Sequence, residues 1–407
     1  MRLITLKPDF YDMFSCVAGE CEDSCCKTKW DIYVDKNTYR KYDKLAPSNI
    51  KLLIDKHIKK NKNAKTEKEY AKIDLGSNNQ CPMLDEQGLC VIHKHLGEDY
   101  LNMVCFTYPR IFNYVDDILM KTVSISCPAA SRIILRQKHP VEFELTEEEV
   151  NPKSLMSIIC TKDSSRMLFR SFWDILKAAV SIIQNRKRNI KERLLILGML
   201  IKSLNEEENK DNVSEERINI IIEKYLKISD ENDNLNIYAN IPDKPEVQVI
   251  MLKNMLDARS KLGVSSKEFA GFIDILFQTV SVEENGDVSV RKIKEAEYKY
   301  FEPFINDHDY MFENYIVNTM ISKIFPFGEG TTCIDSYCML VIRYALIKII
   351  ISGLAMYKGE INEETVIKII QSFSKCIDHD QTFISRLLKE LKEQGFNTLA
   401  YMAVLLK

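Results

Sequence analysis

Glycine and proline are scarce in this chain of 407 residues, 13 and 11 in number. So few turn formers argue against all-β and repeat-rich architectures and towards helices. No segment recurs at a period of 20–50 residues. Charge is balanced: 56 Lys and Arg against 59 Asp and Glu leave a net −3, which excludes a chain that binds nucleic acid by overall charge. The opening MRLITLKPDFYDMF has charges at Arg2, Lys7 and Asp9 and no unbroken apolar run before a small-residue cleavage site. It predicts no signal peptide and a cytoplasmic protein, where disulfides are rare. The most apolar stretch, 339–356, is interrupted by Arg343 and Lys348. Two central charges make a membrane span costly, so a buried helix and no membrane contact are expected.

What is present is ordinary in bulk and unusual in one respect. With 45% apolar and 28% charged residues, the composition is that of a globular protein, and the length suits two or three domains. Of the 12 cysteines, eight lie in the first 127 residues: Cys16, Cys21, Cys25, Cys26, Cys81, Cys90, Cys105 and Cys127. Packing alone would not gather them so strongly. In a reducing compartment clustered thiols point to metal binding or redox chemistry. Thiolates suit zinc or iron–sulfur centres, and four of them commonly complete either. Eight could serve one site with spares, or two. Cys25 and Cys26 are adjacent, so in an extended segment they point to opposite faces. Either they face two sites or one of them packs in the core. The zinc pairing C-x₂-C…C-x₂-C is absent, as is C-x₃-C-x₂-C, because position 28 is threonine. His93 and His95, close behind Cys90, are further ligand candidates. Cys160, Cys333, Cys338 and Cys376 are expected elsewhere.

The expected fold is mainly α. A Cys-rich, metal-organised α+β module over 1–140 precedes an all-helical domain of eight or more helices over 141–407. Residues 36–72 read as helical and lysine-rich, a solvated face or a docking patch for an acidic protein. Alternation over 111–126 predicts a hairpin. The acidic stretch from Glu142 to Glu149 reads as a boundary or linker. Beyond it, three- and four-residue apolar spacing predicts helices at 165–184, 186–203, 291–305, 309–325, 334–357, 362–377 and 380–394. Polar breaks fall at 205–217 and 229–245, with Ser214 as an N-cap after the first. Ser265 with Glu268 fits a capping box, and Gly395 a C-terminal stop.

At the cysteines the chain resembles the flagellin lysine-N-methylase family. The resemblance rests on FSCVAGECEDSCCKTKWDIYVDKNTYRKY (14–42), CPMLDEQGLCVIHKHLGEDYL (81–101), CFTYPR (105–110) and SISCPAAS (124–131). It continues more weakly at NYIVNTMISKIFPFG (314–328) and KCIDHDQTF (375–383). It implies methylation of flagellin lysines with S-adenosylmethionine as donor. It also implies that the cysteines chelate metal, as an iron–sulfur cluster of the 4Fe–4S type or alternatively as zinc. A non-enzymatic metal-binding, electron-transfer or scaffold protein is the rival reading. Methyl transfer needs a deprotonated lysine, whose free pKa is near 10.4, and hence a desolvating site or a base. Candidate groups near the cysteines are Asp31, Asp35, Tyr39, Tyr42, Tyr108 and Arg110. Of these, Tyr108 is suited to orient the amine and Arg110 to hold the carboxylate of the donor, with Asp31 as the third catalytic candidate. Adenosyl groups are commonly held by a strand, a Gly-rich turn and an acidic residue. No such run exists here, which counts against a doubly wound fold. Gly328-Glu329-Gly330 reads as a turn rather than a ligand loop.

Overall fold

The computed structural model describes residues 1–407 except 28–30, 77–79, 156, 211, 232–240 and 281–286. The N-terminal half mixes short elements: β1 (Arg2–Pro8), β2 (Tyr33–Val34), α1 (Lys36–Asp43), α2 (Asn49–His57), β3 (Ile58–Lys60), β4 (Ala71–Ile73), α3 (Val91–Leu96), α4 (Met103–Thr107), β5 (Arg110–Val115), β6 (Ile118–Val123), α5 (Pro128–Arg136), β7 (Phe143–Glu149) and β8 (Ser157–Ile159). Helices follow: α6 (Met167–Arg170), α7 (Phe172–Ile183), α8 (Ile190–Glu208), α9 (Glu215–Asp230), α10 (Pro245–Lys261), α11 (Lys267–Thr279), α12 (Asp287–Ala296), a π-helical turn (Glu297–Phe301), α13 (Glu302–Ser322), α14 (Cys333–Lys358), α15 (Glu363–Ile377), α16 (Gln381–Glu393) and α17 (Leu399–Leu406).

The protein is mainly α, as expected, with two small sheets. One is three-stranded, in the order β2-β4-β3. It divides the segment 36–72, which holds two short helices instead of a continuous one. Ion pairs such as Lys51–Asp55 lie on its surface. The other is five-stranded and mixed, in the order β7-β1-β6-β5-β8. Strand β1 runs parallel to β6, and β5 parallel to β8, while β1/β7 and β5/β6 are antiparallel. This is not the all-parallel sheet of a doubly wound fold. The expected hairpin is β5–β6.

The acidic stretch is not a linker. It forms β7, paired with the whole of β1 from Arg2↔Glu149 to Pro8↔Phe143. Strand neighbours supply the compensating cations: Lys7 reaches Glu144 at 3.2 Å and Glu148 at 3.1 Å, and Lys121 of β6 also pairs with Glu148. Strands therefore continue past residue 141, and among the described residues every regular element from Met167 onward is helical.

Within the helices most sequence expectations hold. Ser214 caps α9, its side chain accepting from the Arg217 N–H. The capping serine of α11 is Ser266, one residue beyond the one expected, accepting from Phe269. Helix α8 continues to Glu208, into the segment read as polar loop. Most of the break at 229–245 lies outside the described residues. Among the described residues α14 is the one helix long and apolar enough to cross a bilayer, and its apolar window is wholly buried. Its two charges are matched. Arg343 makes two bonds to Glu329, at 2.7 and 2.6 Å, and one to Asp378 at 2.7 Å. Lys348 bonds Glu297 of the π-helical turn at 2.7 Å. The Gly328-Glu329-Gly330 segment is thus structural: Glu329 serves Arg343, and a side chain at Gly330, whose φ is +76°, would meet Asp335.

One apolar core runs from Phe10 through the sheet and helices to Leu406. A smaller one gathers Ile32, Val34, Tyr42, Ile54, Cys81 and Ile92. The sheet and α13 are stitched by amides. Asn318 donates to the Val123 carbonyl at 3.1 Å and accepts from Thr122 at 2.5 Å. Asn314 donates to the carbonyls of Ile134 and Gln137, at 2.9 and 2.7 Å. Both asparagines lie in the resemblance block 314–328, so that block joins the helices to the N-terminal half.

Candidate active site

The eight N-terminal cysteines line two adjoining cavities. One of about 150 Å³ is walled by Cys25, Cys26, Cys81, Cys90 and Cys105. The other, about 360 Å³, is walled by Cys16, Cys21, Cys25, Cys26, Cys90 and Cys127. Cys25, Cys26, Cys90, His93 and Tyr108 belong to both walls. The gathering expected from sequence is therefore present, spread over two hollows.

Local chemistry places each thiol. The Cys81–Cys90 loop doubles back through a turn in which Gly88 N–H donates to the Asp85 carbonyl at 2.9 Å, so Leu84 bridges Cys90. Cys90 and Cys127 are the N-cap residues of α3 and α5. Helix α4 carries Cys105, behind the N-cap Asn102. Donors point at the sulfurs. The Asn102 amide donates to Cys105 Sγ at 3.2 Å and the Ala18 N–H to Cys16 Sγ at 3.4 Å. Backbone N–H groups of Asp23, of Met83 and of Ala129 with Ala130 face the sulfurs of Cys21, Cys81 and Cys127. Burial nevertheless pushes the thiols of Cys81 and Cys127 up to about 11 and that of Cys105 to about 12. Cys25 is raised too, chiefly by its hydrogen bond with Cys26. Such thiols stay protonated at neutral pH unless a cation displaces the proton.

All 12 cysteines are free of disulfides. Among the described residues no three His, Cys, Asp or Glu side chains converge as the ligands of a single metal ion. The four remaining cysteines lie elsewhere. Cys160 is exposed beside Asp163, Cys333 faces Ile201 and Asn205, Cys376 touches Ser265, and Cys338 is buried in α14.

The other sequence candidates separate. Tyr108 reaches both cavities; its hydroxyl lies 3.1 Å from Ser126 Oγ, and burial holds its phenol well above the usual range. Tyr42 joins the wall of the smaller cavity and donates to the Tyr100 carbonyl at 2.7 Å. Arg110 lines neither. Its guanidinium lies over the Phe14 ring at 5.0 Å, and Phe14 is part of the larger cavity's wall. Asp31 lines neither cavity, although its neighbour Ile32 lines the smaller one; it is exposed and paired with Lys72 at 2.6 Å and Tyr33 at 3.2 Å. Asp35 caps α1, and Tyr39 packs edge-on against Tyr70. Of the two histidines, His93 is in both walls and His95 in neither. Trp30, part of the resemblance, lies outside the described residues.

Several residues at the site escape sequence reading. Asp23, between Cys21 and Cys25, pairs with Lys375 at 2.5 Å and accepts from Gln371 at 3.1 Å. Behind Tyr108, Ser126 Oγ lies 2.8 Å from His379 Nε2. Lys375 and His379 both fall in the resemblance block 375–383, which was the available signal.

A mainly helical protein with a thiol-lined double cavity built from its N-terminal segments thus emerges, and known proteins resemble it in sequence. The family model described as the FliB lysine N-methylase C-terminal domain matches residues 177–405. Over 390 residues, 93% of either chain, it is 24% identical to a lysine-N-methylase of Salmonella typhimurium strain LT2 and 23% to one of Salmonella choleraesuis. It is 34% identical over 140 residues, 79% of that protein, to the flagellar biosynthetic protein FliU of Salmonella muenchen. No solved structure matches. The chain belongs to the FliB lysine N-methylase family and is a protein-lysine methyltransferase.

Proposed function

We propose that the protein methylates lysine side chains of flagellin, in the cytoplasm, with S-adenosylmethionine as methyl donor, and that the reaction takes place at the cysteine-lined cavities. The observation that carries this reading is the convergence of all eight cysteines and Tyr108 on two adjoining hollows. Relatives named lysine-N-methylase and flagellar biosynthetic protein support it.

The reaction is a displacement. The lysine nitrogen forms a bond to the methyl carbon as the carbon–sulfonium bond breaks, releasing S-adenosylhomocysteine and a proton. The wall of the larger cavity, with Phe14, Leu84, Leu89 and Pro128, strips water from an entering ammonium, which favours its neutral form. Tyr108, kept protonated, reaches both cavities and orients the nitrogen lone pair by accepting a hydrogen bond from the amine. Asp31 takes no part in this arrangement. Arg110 backs Phe14 from outside the cavity.

The donor set fits a thiolate-held metal centre: soft sulfur ligands, each of several met by an N–H donor, with no competing disulfide. The residues that would hold it are Cys16, Cys21, Cys25, Cys26, Cys81, Cys90, Cys105 and Cys127. Thiols spread around cavity walls suit an iron–sulfur cluster, which is larger than a single zinc ion with its ligands at about 2.3 Å. When bound, such a centre supplies positive charge that ionises the thiols and fixes the loops. Incubating the protein with flagellin and methyl-labelled S-adenosylmethionine tests the proposal. Label is expected on flagellin lysines; transfer to no lysine by protein with its centre loaded would refute it.

A further inference from the structure

The helical region does more than support the cysteine segment. We infer that α15 is a positioning element of the methyl-transfer site, with Lys375 and Gln371 clamping the two chain segments that bring Cys21, Cys25 and Cys127 to one cavity. The inference rests on the reading of that cavity as the reaction site and adds the residues that hold it in shape.

The geometry is specific. Gln371 Nε2 donates to Asp23 Oδ2 at 3.1 Å and to the Ser126 carbonyl at 2.7 Å. One amide thus bridges the loop between Cys21 and Cys25 and the residue before Cys127. Lys375 stands one helical turn further along the same face and places Nζ 2.5 Å from Asp23 Oδ1. Gln371 and Lys375 are 4% and 5% exposed, so their polar ends have little water to fall back on. From the next turn of chain His379 reaches Ser126 at 2.8 Å, and Ser126 in turn meets Tyr108. A ring of contacts from one helix and its C-terminal end therefore fixes two sides of the cavity and its tyrosine. Asp23 itself belongs to the larger cavity's wall. The smaller cavity's own cysteines, Cys81 and Cys105, make none of these contacts, which makes the clamp selective.

Selectivity is what the experiment reads. Alkylation of the individual cysteines by iodoacetamide is followed by mass spectrometry on the full chain, with metal removed and no substrate or donor present. In Lys375→Met, Cys21, Cys25 and Cys127 are expected to react about tenfold faster, as local opening frees their loops. Cys81, Cys105 and Cys160 are expected to stay within about twofold of their original rates, since opening is confined to one unit. Lys375→Arg restores the cation and with it most of the protection. Asp23→Asn, a change on the half-exposed loop, gives the same pattern more weakly and serves if Lys375→Met does not fold. A uniform rise at every cysteine, or no rise at Cys21 and Cys25, overturns the inference. So does a Lys375→Arg protein no better protected than Lys375→Met. Because the assay contains neither flagellin nor donor, an inactive wild type would count against the proposed function and leave this result standing.

Discussion

The backbone N–H of Cys81 donates to the carbonyl oxygen of Cys26 at 2.8 Å. That bond joins segments 55 positions apart in the chain and sets a thiol of each on the wall of the same cavity. The cysteine segments are thus held together by peptide contacts as well as by whatever the sulfurs bind. Around them the small core of Ile32, Val34, Tyr42, Met83 and Ile92 fixes the same loops.

Metal content should follow the cavity walls. Protein purified without oxygen is expected to hold iron with inorganic sulfide, or zinc, and Cys81→Ser or Cys127→Ser to lower that content by half or more. Cys160→Ser, outside both cavities, should leave it unchanged. Elemental analysis reads the result. Equal metal in all four proteins, or none in any, would count against a thiolate centre.

Arg343 offers a test of the helical core. It is fully buried and bonded to Glu329 and Asp378, so truncation strands two carboxylates. Arg343→Met should cost about 3–5 kcal/mol of unfolding free energy. Arg343→Lys should recover little, because an ammonium cannot reproduce the forked geometry. A urea titration in which either variant matches the wild type would contradict this assignment.

The seam between sheet and helices should be sensitive to a single amide. Asn318→Leu removes the partner of both Thr122 and the Val123 carbonyl. A loss of about 1–3 kcal/mol is expected, with the far-ultraviolet spectrum unchanged. A loss below about 0.5 kcal/mol would show that water replaces the amide.

Acid should weaken the fold through Glu297. Burial alone would raise its pKa, but Lys348, Lys294 and Lys191 outweigh it and bring it down to about 2. A carboxylate depressed from its ordinary 4.5 contributes stability above that value and loses it as pH falls towards about 2. The contribution is on the order of 3 kcal/mol. Melting temperature should therefore fall between those pH values, and the slope should flatten in Glu297→Gln. An equal slope in both proteins would place the acid sensitivity elsewhere.

How much of this was legible in the sequence differs by element. Helices with clear three- and four-residue spacing were readable, as was the hairpin, because local pattern decides them. Strand β7 was not. Its four glutamates look like a solvated linker until Lys7 and Lys121, distant in sequence, are set beside them. Cysteine clustering showed which thiols gather, yet could not show that they divide between two hollows. The place of Tyr108 on the cavity walls is legible because it follows Cys105 by three residues. Lys375 and Gln371 were missed because their partner, Asp23, is some 350 residues away and no local rule joins them. Asp31 is near the cysteines in sequence, but its side chain is exposed and pairs with Lys72.

The central claim, that lysine methylation occurs where Tyr108 meets the thiols, is tested most directly by the rate of methyl transfer to flagellin in Tyr108→Phe. The substitution removes one hydroxyl and leaves the ring that packs on the core. With wild-type metal content and melting temperature, Tyr108→Phe is expected to transfer methyl groups about 10²-fold more slowly. A rate within about twofold of the wild type, in protein equally folded and loaded, would contradict the claim and move the reaction away from this cavity.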